Sequence, residues 1–371
     1  MRVFALSFHA DYRCAHSGVC CSSDWDVPVE LPIYRSLEQA LAAGRIAPAA
    51  PAYADDPPLI TGDDLPEDAA AMLARTATGD CVFYHRGSSL CVVHRDAGES
   101  HLPATCRHFP RLAVRDRRGT FVSLTHFCPT AAASLFRDDV DTEIIEAPPA
   151  FPAMDYEGLT VGDDEWPPLL HPRMLMDLEG YDTWERHMVA RCAVPGATAD
   201  DVIATLTRDA QLLRDFNPAA MPLARAVAAL PGERVAASPH DALAPSLAAR
   251  SVVVKAIPDD LLPPPDEEGL EEAYARLVLP EWRQFDRPLT RYLAAKAFAN
   301  WTAYQGRGIV AIIRGLDAAL ALVRVEAARM CRNTGRSLDA DLLKEAIRAA
   351  DFTLNHLAAG EDLAASWSEG A

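Results

Sequence analysis

The segment Cys14-Ala-His-Ser-Gly-Val-Cys20-Cys21 places three cysteines in one short stretch near the start of a 371-residue chain. Cys20 and Cys21 are poorly placed to form a disulfide with each other, since neighbouring Cα atoms are too close for relaxed geometry. Both thiols can nevertheless reach a metal at the head of a loop, and Gly18 allows that loop to turn tightly. The segment therefore predicts a metal-binding loop surrounded by irregular structure.

The other cysteines support this interpretation. The chain has nine cysteines, and seven of them precede residue 130. In a reducing compartment, clustered cysteines indicate metal ligands before disulfides, and an odd number disfavours a closed disulfide framework. The predicted metal ligands are Cys14, Cys20, Cys21, Cys81, Cys91, Cys106 and Cys128. The remaining two, Cys192 and Cys331, lie in helical patterns and are expected to be buried, inert thiols.

Two predicted β-hairpins bring some of these cysteines together. Cys81 and Cys91 flank the first hairpin, and the second turns at residues 116–119, with Cys106 and Cys128 near its open ends. Pro129 favours a helix that begins directly after Cys128. The preferred set of four ligands is therefore Cys20, Cys21, Cys106 and Cys128. The residues leave open whether the other three complete this site or form a second one.

Charge and hydropathy exclude several classes of function. The net charge of −18 and the pI near 5.0 disfavour nucleic-acid binding, which needs a basic surface. The most apolar region, residues 309–325, contains Arg314, Asp317 and Arg324, which an ordinary transmembrane helix would not carry. Residues 1–12 lack the pattern of a signal peptide. We therefore expect a cytoplasmic protein with neither a nucleic-acid nor a membrane partner.

The pattern along the chain predicts an α+β protein. An irregular, cysteine-rich metal-binding domain with short strands is expected over residues 1–145, a linker rich in proline, glycine and acidic residues over 146–172, and a mainly α-helical domain over 173–371. In the first domain we expect a strand at 3–8 and helices at 36–43 and 66–76, the latter capped by Asp64. The helices expected in the second domain cover 202–216, 267–279, 288–304, 308–331 and 338–357. The first of them is expected to follow an N-terminal capping arrangement formed by Thr198 and Asp201.

A basic stretch follows Cys106 in this acidic chain. Arg107 and Arg111 are candidates for binding an anion, such as a cofactor carboxylate. Arg115, Arg117 and Arg118 are expected to form the solvated edge of the second hairpin.

The order of these motifs resembles a known family. Cys14, Cys20, Cys21 and Trp25 come first, then Cys81 and Cys91, then Leu-Pro-Ala-Thr-Cys-Arg-His-Phe-Pro-Arg at 102–111, and finally Cys128-Pro129. This order is similar to that of the zinc- or iron-chelating cysteine-cluster family, and within it to the flagellin lysine-N-methylase branch. The resemblance covers residues 1–136, and it departs from many members of that family at Ser17, where they carry a further cysteine.

The resemblance implies an iron–sulfur cluster, most simply 4Fe-4S, with zinc as the alternative metal. It also implies an enzyme that transfers a methyl group from S-adenosylmethionine to lysines of a flagellin-like protein. The residues themselves contain no glycine-rich turn of the Rossmann type, and they leave the catalytic residues unassigned. The alternative is a non-enzymatic interaction protein whose zinc or iron site only orders the loops.

Overall fold

The computed structural model describes residues 2–162, 165–238, 240–262 and 266–368. It is 48% helix and 11% sheet, which places the protein in the predicted α+β class. The chain forms two compact units. We call the first the cysteine-rich unit, with residues Arg13–Arg111 and Asp155–Glu157, and the second the helical unit, with Met1–Tyr12, Leu112–Met154 and Gly158–Ala371.

The secondary structure has many short elements. The strands are β1 Val3–Leu6, β2 Pro28–Val29, β3 Leu59–Ile60, β4 Ala71–Leu73, β5 Tyr84–His85, β6 Leu90–Cys91, β7 Arg111–Asp116, β8 Gly119–Leu124, β9 Ile144–Glu146, β10 Gly158–Thr160, β11 Leu169–His171 and β12 Met174–Leu175. The α-helices are α1 Leu31–Ala42, α2 Val92–Ala97, α3 Ala104–His108, α4 Pro129–Ser134, α5 Leu178–Cys192, α6 Ala199–Leu213, α7 Leu223–Ala228, α8 Ala244–Val254, α9 Leu270–Ala273, α10 Leu279–Trp282, α11 Asp286–Ala297, α12 Ile309–Thr334, α13 Ala340–Phe352 and α14 Gly360–Ser366.

A five-stranded sheet lies in the helical unit, in the order β10-β7-β8-β1-β9. The apolar strand β1 is buried at every residue and runs parallel to β8, with Phe4 opposite Phe121. The rings of these two residues stack with their centroids 4.9 Å apart. Phe4 and Phe121 belong to the same core as Trp184 of α5, so the sheet and the helices share one hydrophobic core.

The helices of this unit follow from sequence signals. Thr198 and Asp201 form a capping box, in which each side chain accepts a hydrogen bond from the other residue's backbone N–H, and α6 begins there as predicted. The long helix α12 confirms the helix predicted at 308–331. It buries Arg324, which pairs with Asp200 at 2.6 Å and so keeps a charge inside the core.

The cysteine-rich unit combines small sheets with short helices. Strands β2, β4 and β3 form an antiparallel sheet, and β5 and β6 form the hairpin predicted between Cys81 and Cys91. A separate core fills this unit, and its fully buried members include Val29, Leu37 and Phe83.

The helix predicted at 66–76, with its cap at Asp64, is wrong. Residues 71–73 form β4, which pairs with β2 on one side and β3 on the other. Ala71 and Leu73 are buried, whereas Met72 between them is partly exposed. Tertiary pairing on both edges outweighs the local helix preference of this alanine-rich segment.

The units also divide the chain differently from the predicted boundaries at 145 and 172. The first strand pairs with β8 and β9, which assigns residues 1–12 and 112–145 to the helical unit. The segment predicted as a linker contains strand β10, which pairs with β7, and the whole of strand β11. Residues 163 and 164 of that segment lie outside the described ranges.

Arg118 is not part of a solvated edge. Its side chain is only 11% exposed, and it pairs with Asp116 at 2.8 Å and with Glu185 at 2.9 Å. The hairpin formed by β7 and β8 therefore carries a buried ion-pair network, which a sequence pattern of consecutive arginines did not reveal.

Within the described ranges, no helix combines the length and apolarity needed to cross a bilayer.

Candidate metal centre and a buried polar network

Five of the seven predicted ligands surround one small cavity in the cysteine-rich unit. The short 3-10 helix Val19–Cys21 supplies two thiols, β6 and α3 supply one each, and the fifth precedes β5. The five are Cys20, Cys21, Cys81, Cys91 and Cys106. Apolar side chains complete the wall, and the free space is about 20 Å³.

Local backbone contacts hold these cysteines in place. Gly18 has a φ of 76°, and a Cβ there would overlap the hydroxyl of Tyr84, so only glycine permits this turn. The backbone N–H of Cys81 donates to the carbonyl of Cys21 at 2.7 Å. Tyr84 is the strand partner of Cys91. The first ligand loop and the hairpin are therefore fixed to each other by backbone geometry.

The thiols influence one another electrostatically. The Sγ atoms of Cys20 and Cys21 are 3.8 Å apart. The Cys21 thiol, and then the backbone N–H groups at the start of α2, lower the pKa of Cys91 to about 7. Burial raises the pKa of Cys81 to about 11, and burial next to the other thiols raises that of Cys106 well above its usual value. Ionising several of these thiols together therefore requires a positive charge among them.

Arg75 supplies one such charge. It lies two residues beyond Leu73 of β4, on the strand face that carries Ala71 and Leu73, and it lines the same cavity as the thiols. An antiparallel bridge pairs it with Cys81. All three nitrogens of its guanidinium are buried without a hydrogen-bond partner.

The donor set fits a thiolate-bound metal. The side chains that line the cavity offer sulfur and include no histidine or carboxylate, and all-sulfur sites suit iron–sulfur clusters or zinc. Among the described residues, no group of three or more His, Cys, Asp or Glu side chains is arranged so that it could hold a metal ion. The cavity is also small, so the side chains that line it would have to move before a metal could be held there.

The remaining predicted site residues lie elsewhere. Cys14 is exposed, and Cys128 belongs to the helical unit, where it is buried 3.5 Å from the Tyr12 hydroxyl at the start of α4. Arg107 and Arg111 are not among the residues that line the thiol cavity. The Arg111 guanidinium donates to the backbone carbonyl of Arg107 at 3.1 Å.

Sequence analysis missed a buried polar network in the helical unit. Asp351 of α13 is fully buried, and its carboxylate accepts from the Tyr292 hydroxyl at 2.7 Å and pairs with the Lys296 ammonium at 2.5 Å. It also accepts from the backbone N–H of His126 at 2.6 Å and lies 3.2 Å from its Nδ1. The Nε2 atom of His126 lies 3.2 Å from Nε2 of His9.

These contacts fix the protons of the two imidazoles. Because the Asp351 carboxylate can only accept, Nδ1 of His126 carries the proton and its Nε2 accepts from Nε2–H of His9. The Nδ1 of His9 then holds a buried lone pair that has no partner. The network joins the short turn after β1, the loop after β8, α11 and α13. It also orients a chain of groups that can bind or pass a proton.

One sequence feature could have revealed this network: a charged residue, Asp351, at an otherwise apolar position of helix α13. Asp351 is adjacent to Ala350 and four residues after Ile347, on the apolar face of α13. The ammonium partner, Lys296, also lines a cleft of about 300 Å³ in the same unit, together with Trp301 and Asn355.

The histidines of the helical unit predict acid sensitivity. Burial lowers the pKa of His356 to about 4, and burial together with His126 lowers that of His9 well below its usual value. Between about pH 6.5 and 4 the unfolded chain therefore binds more protons than the folded one, and the free energy of unfolding falls as the pH falls. Each histidine contributes up to about 1.4 kcal/mol per pH unit over this window.

Urea unfolding at pH 7.5, 6 and 5, followed by circular dichroism, measures this dependence. We expect full stability at pH 7.5 and a progressive loss below pH 6.5. The variant His356→Gln, which cannot titrate, should show a shallower slope than the wild type. An identical slope for both proteins would contradict the assigned role of His356.

Comparison with known proteins gives no further guidance, since no protein-family model, curated protein or solved structure matches the chain.

Proposed function

We propose that the protein is a cysteine-ligated metalloprotein and that its cysteine-rich unit holds an iron–sulfur cluster. Ligands would be drawn from Cys20, Cys21, Cys81, Cys91 and Cys106, four of which suffice for a 4Fe-4S cluster. When bound, such a cluster supplies electron transfer or a Lewis-acidic iron. The chain itself supplies the thiolates, the apolar wall that limits the access of water, and a buried cation.

One observation carries this proposal: five thiols from four separate segments line a single cavity. Buried inert cysteines have no reason to converge in this way, because each would pack as an independent small apolar side chain. The all-sulfur lining suits an iron–sulfur cluster or a zinc ion, and the order of the cysteine motifs, which resembles a cluster-bearing family, is the reason for proposing the cluster.

Anaerobic purification followed by elemental analysis and visible spectroscopy tests the proposal. We expect a brown protein with iron, acid-labile sulfide and thiolate-to-iron charge-transfer absorbance. A colourless protein that contains zinc would show that the thiols form a structural zinc site and not an iron–sulfur cluster. Full-length protein that binds neither metal after reconstitution under reducing conditions would contradict the proposal.

For the activity, we propose methyl transfer from S-adenosylmethionine to lysines of a flagellin-like protein, in a cytoplasmic enzyme. This proposal rests on the order of the cysteine motifs. The test is an anaerobic assay with labelled S-adenosylmethionine and a purified flagellin, followed by mass spectrometry of the lysines. A metal-loaded protein that neither binds S-adenosylmethionine nor modifies lysine would support a non-enzymatic interaction protein instead.

A further inference from the structure

Arg75 is in an unfavourable position unless the cavity holds an anion. Its three guanidinium nitrogens are buried and unpartnered, whereas arginines in folded proteins usually pair or face water. The side chains that line the cavity beside it are apolar groups and thiols, and include no carboxylate. A neutral thiol is a weak acceptor and compensates poorly for the lost hydration of a cation.

The chain places this cation there through its fold. Strand alternation directs Arg75 to the same face as Leu73, which also lines the cavity, and the bridge to Cys81 fixes its backbone. The guanidinium and the thiols therefore belong to one electrostatic site.

We infer that Arg75 is the built-in counter-cation of the metal centre, so that the group bound by the thiols is a net anion. This inference rests on the proposed metal site and adds the charge of the bound group. Each ligating thiol releases its proton to solvent when the metal binds. Four thiolates leave negative charge on a zinc ion or on a four-iron cluster, and the guanidinium balances part of that charge.

Two consequences distinguish a counter-cation from a packing residue. Removing the charge should weaken metal binding while leaving the metal-free protein at least as stable as before, because an unpartnered buried cation is lost. In the iron–sulfur form, removing the cation should also make the reduction potential more negative, since the added electron is less well stabilised.

The experiment compares full-length wild type with the variants Arg75→Gln and Arg75→Lys. Arg95→Gln is the matched control, because it removes an arginine of the same unit that forms only a surface pair with Asp96. Metal affinity is measured by competition with a chelator, and stability by urea unfolding with and without metal. The reduction potential is measured by dithionite titration against reference dyes.

We expect Arg75→Gln to bind metal roughly 10- to 100-fold more weakly, which is the size of effect seen when residues that support metal ligands are changed. Its reduction potential should also be more negative than that of the wild type. Arg75→Lys should retain most of the affinity, and Arg95→Gln should match the wild type.

Equal affinity and potential in Arg75→Gln and wild type would overturn the inference. So would an equal loss of stability with and without metal, or a loss in Arg75→Lys as large as in Arg75→Gln. A wild-type protein that binds no metal would instead refute the proposed function itself.

Discussion

Serine substitution of single cysteines should abolish metal binding at four of the five cavity positions, whereas the variant at the fifth position should still bind metal. Cys20, Cys21, Cys81, Cys91 and Cys106 line the cavity together, but a 4Fe-4S cluster needs only four thiolates. A serine hydroxyl is a poor ligand for a soft metal site. The loss at a true ligand should therefore exceed the roughly 10- to 100-fold effects seen when residues that only support ligands are changed.

Cys106→Ser is the most informative of these variants. Cys106 lies on the short helix α3, which is separate in sequence from the first ligand loop and from the hairpin between Cys81 and Cys91. Its loss should remove the metal and destabilise the cysteine-rich unit, because metal binding and folding are coupled. If the metal only orders the loops, this destabilisation should occur without loss of any activity. If the cluster takes part in a reaction, activity should fall even where the fold persists.

The matched control is Cys14→Ser. Cys14 lies in the same loop as Cys20 and Cys21 but is exposed and does not line the cavity. We expect it to keep the iron and the visible absorbance of the wild type. Loss of metal in Cys14→Ser, or its retention in every one of the five cavity variants, would show that the ligand set is not the one assigned here.

Substitution of Asp351 should produce the largest loss of stability in the helical unit. Its carboxylate compensates the Lys296 ammonium and accepts from Tyr292 and His126, and all of these groups are buried or nearly so. In Asp351→Ala the ammonium is left in the interior without a counter-charge. Breaking a buried pair of this kind costs about 3–5 kcal/mol, which corresponds to a fall in Tm of roughly 10 °C.

Differential scanning calorimetry and urea unfolding measure this loss. Asp341→Ala is the control, since Asp341 lies on the same helix but is 87% exposed and pairs only at the surface with Lys344. The double variant Lys296→Met/Asp351→Leu should recover part of the stability, because neither charge is then left unpaired. A loss of less than about 0.5 kcal/mol in Asp351→Ala would mean that the network is not structural.

The sequence predicted elements well where one local signal decides the structure. The capping box at Thr198, the hairpin between Cys81 and Cys91 and the long apolar pattern of α12 are local features, and each lies where it was predicted. Strand β4 was missed because its conformation depends on partners at residues 28–29 and 59–60. Pairing between distant segments leaves no local trace in an alanine-rich stretch.

The same distinction applies to the candidate site. Cysteine content predicted a thiol-rich site, since the residue type itself limits the chemistry. The membership of the site depends on tertiary placement, and the cavity therefore includes Cys81 and Cys91, which the preferred set of four omitted, together with Arg75. Nothing in the local sequence distinguishes Arg75 from the arginines at 107 and 111. The position of Arg75 beside the thiols becomes visible only in the folded structure, where the chain after β4 pairs with Cys81.

The cysteine-rich unit interrupts the helical unit between Tyr12 and Leu112, and this has a consequence for folding. The parallel pairing of β1 with β8 must close a loop that contains nearly all of the inserted unit. Closing a flexible loop of about 100 residues costs roughly 4–5 kcal/mol of chain entropy. If metal binding orders the insertion first, much of that cost is removed before β1 meets β8. Metal supply would then speed the folding of a sheet that contains none of the five cavity thiols.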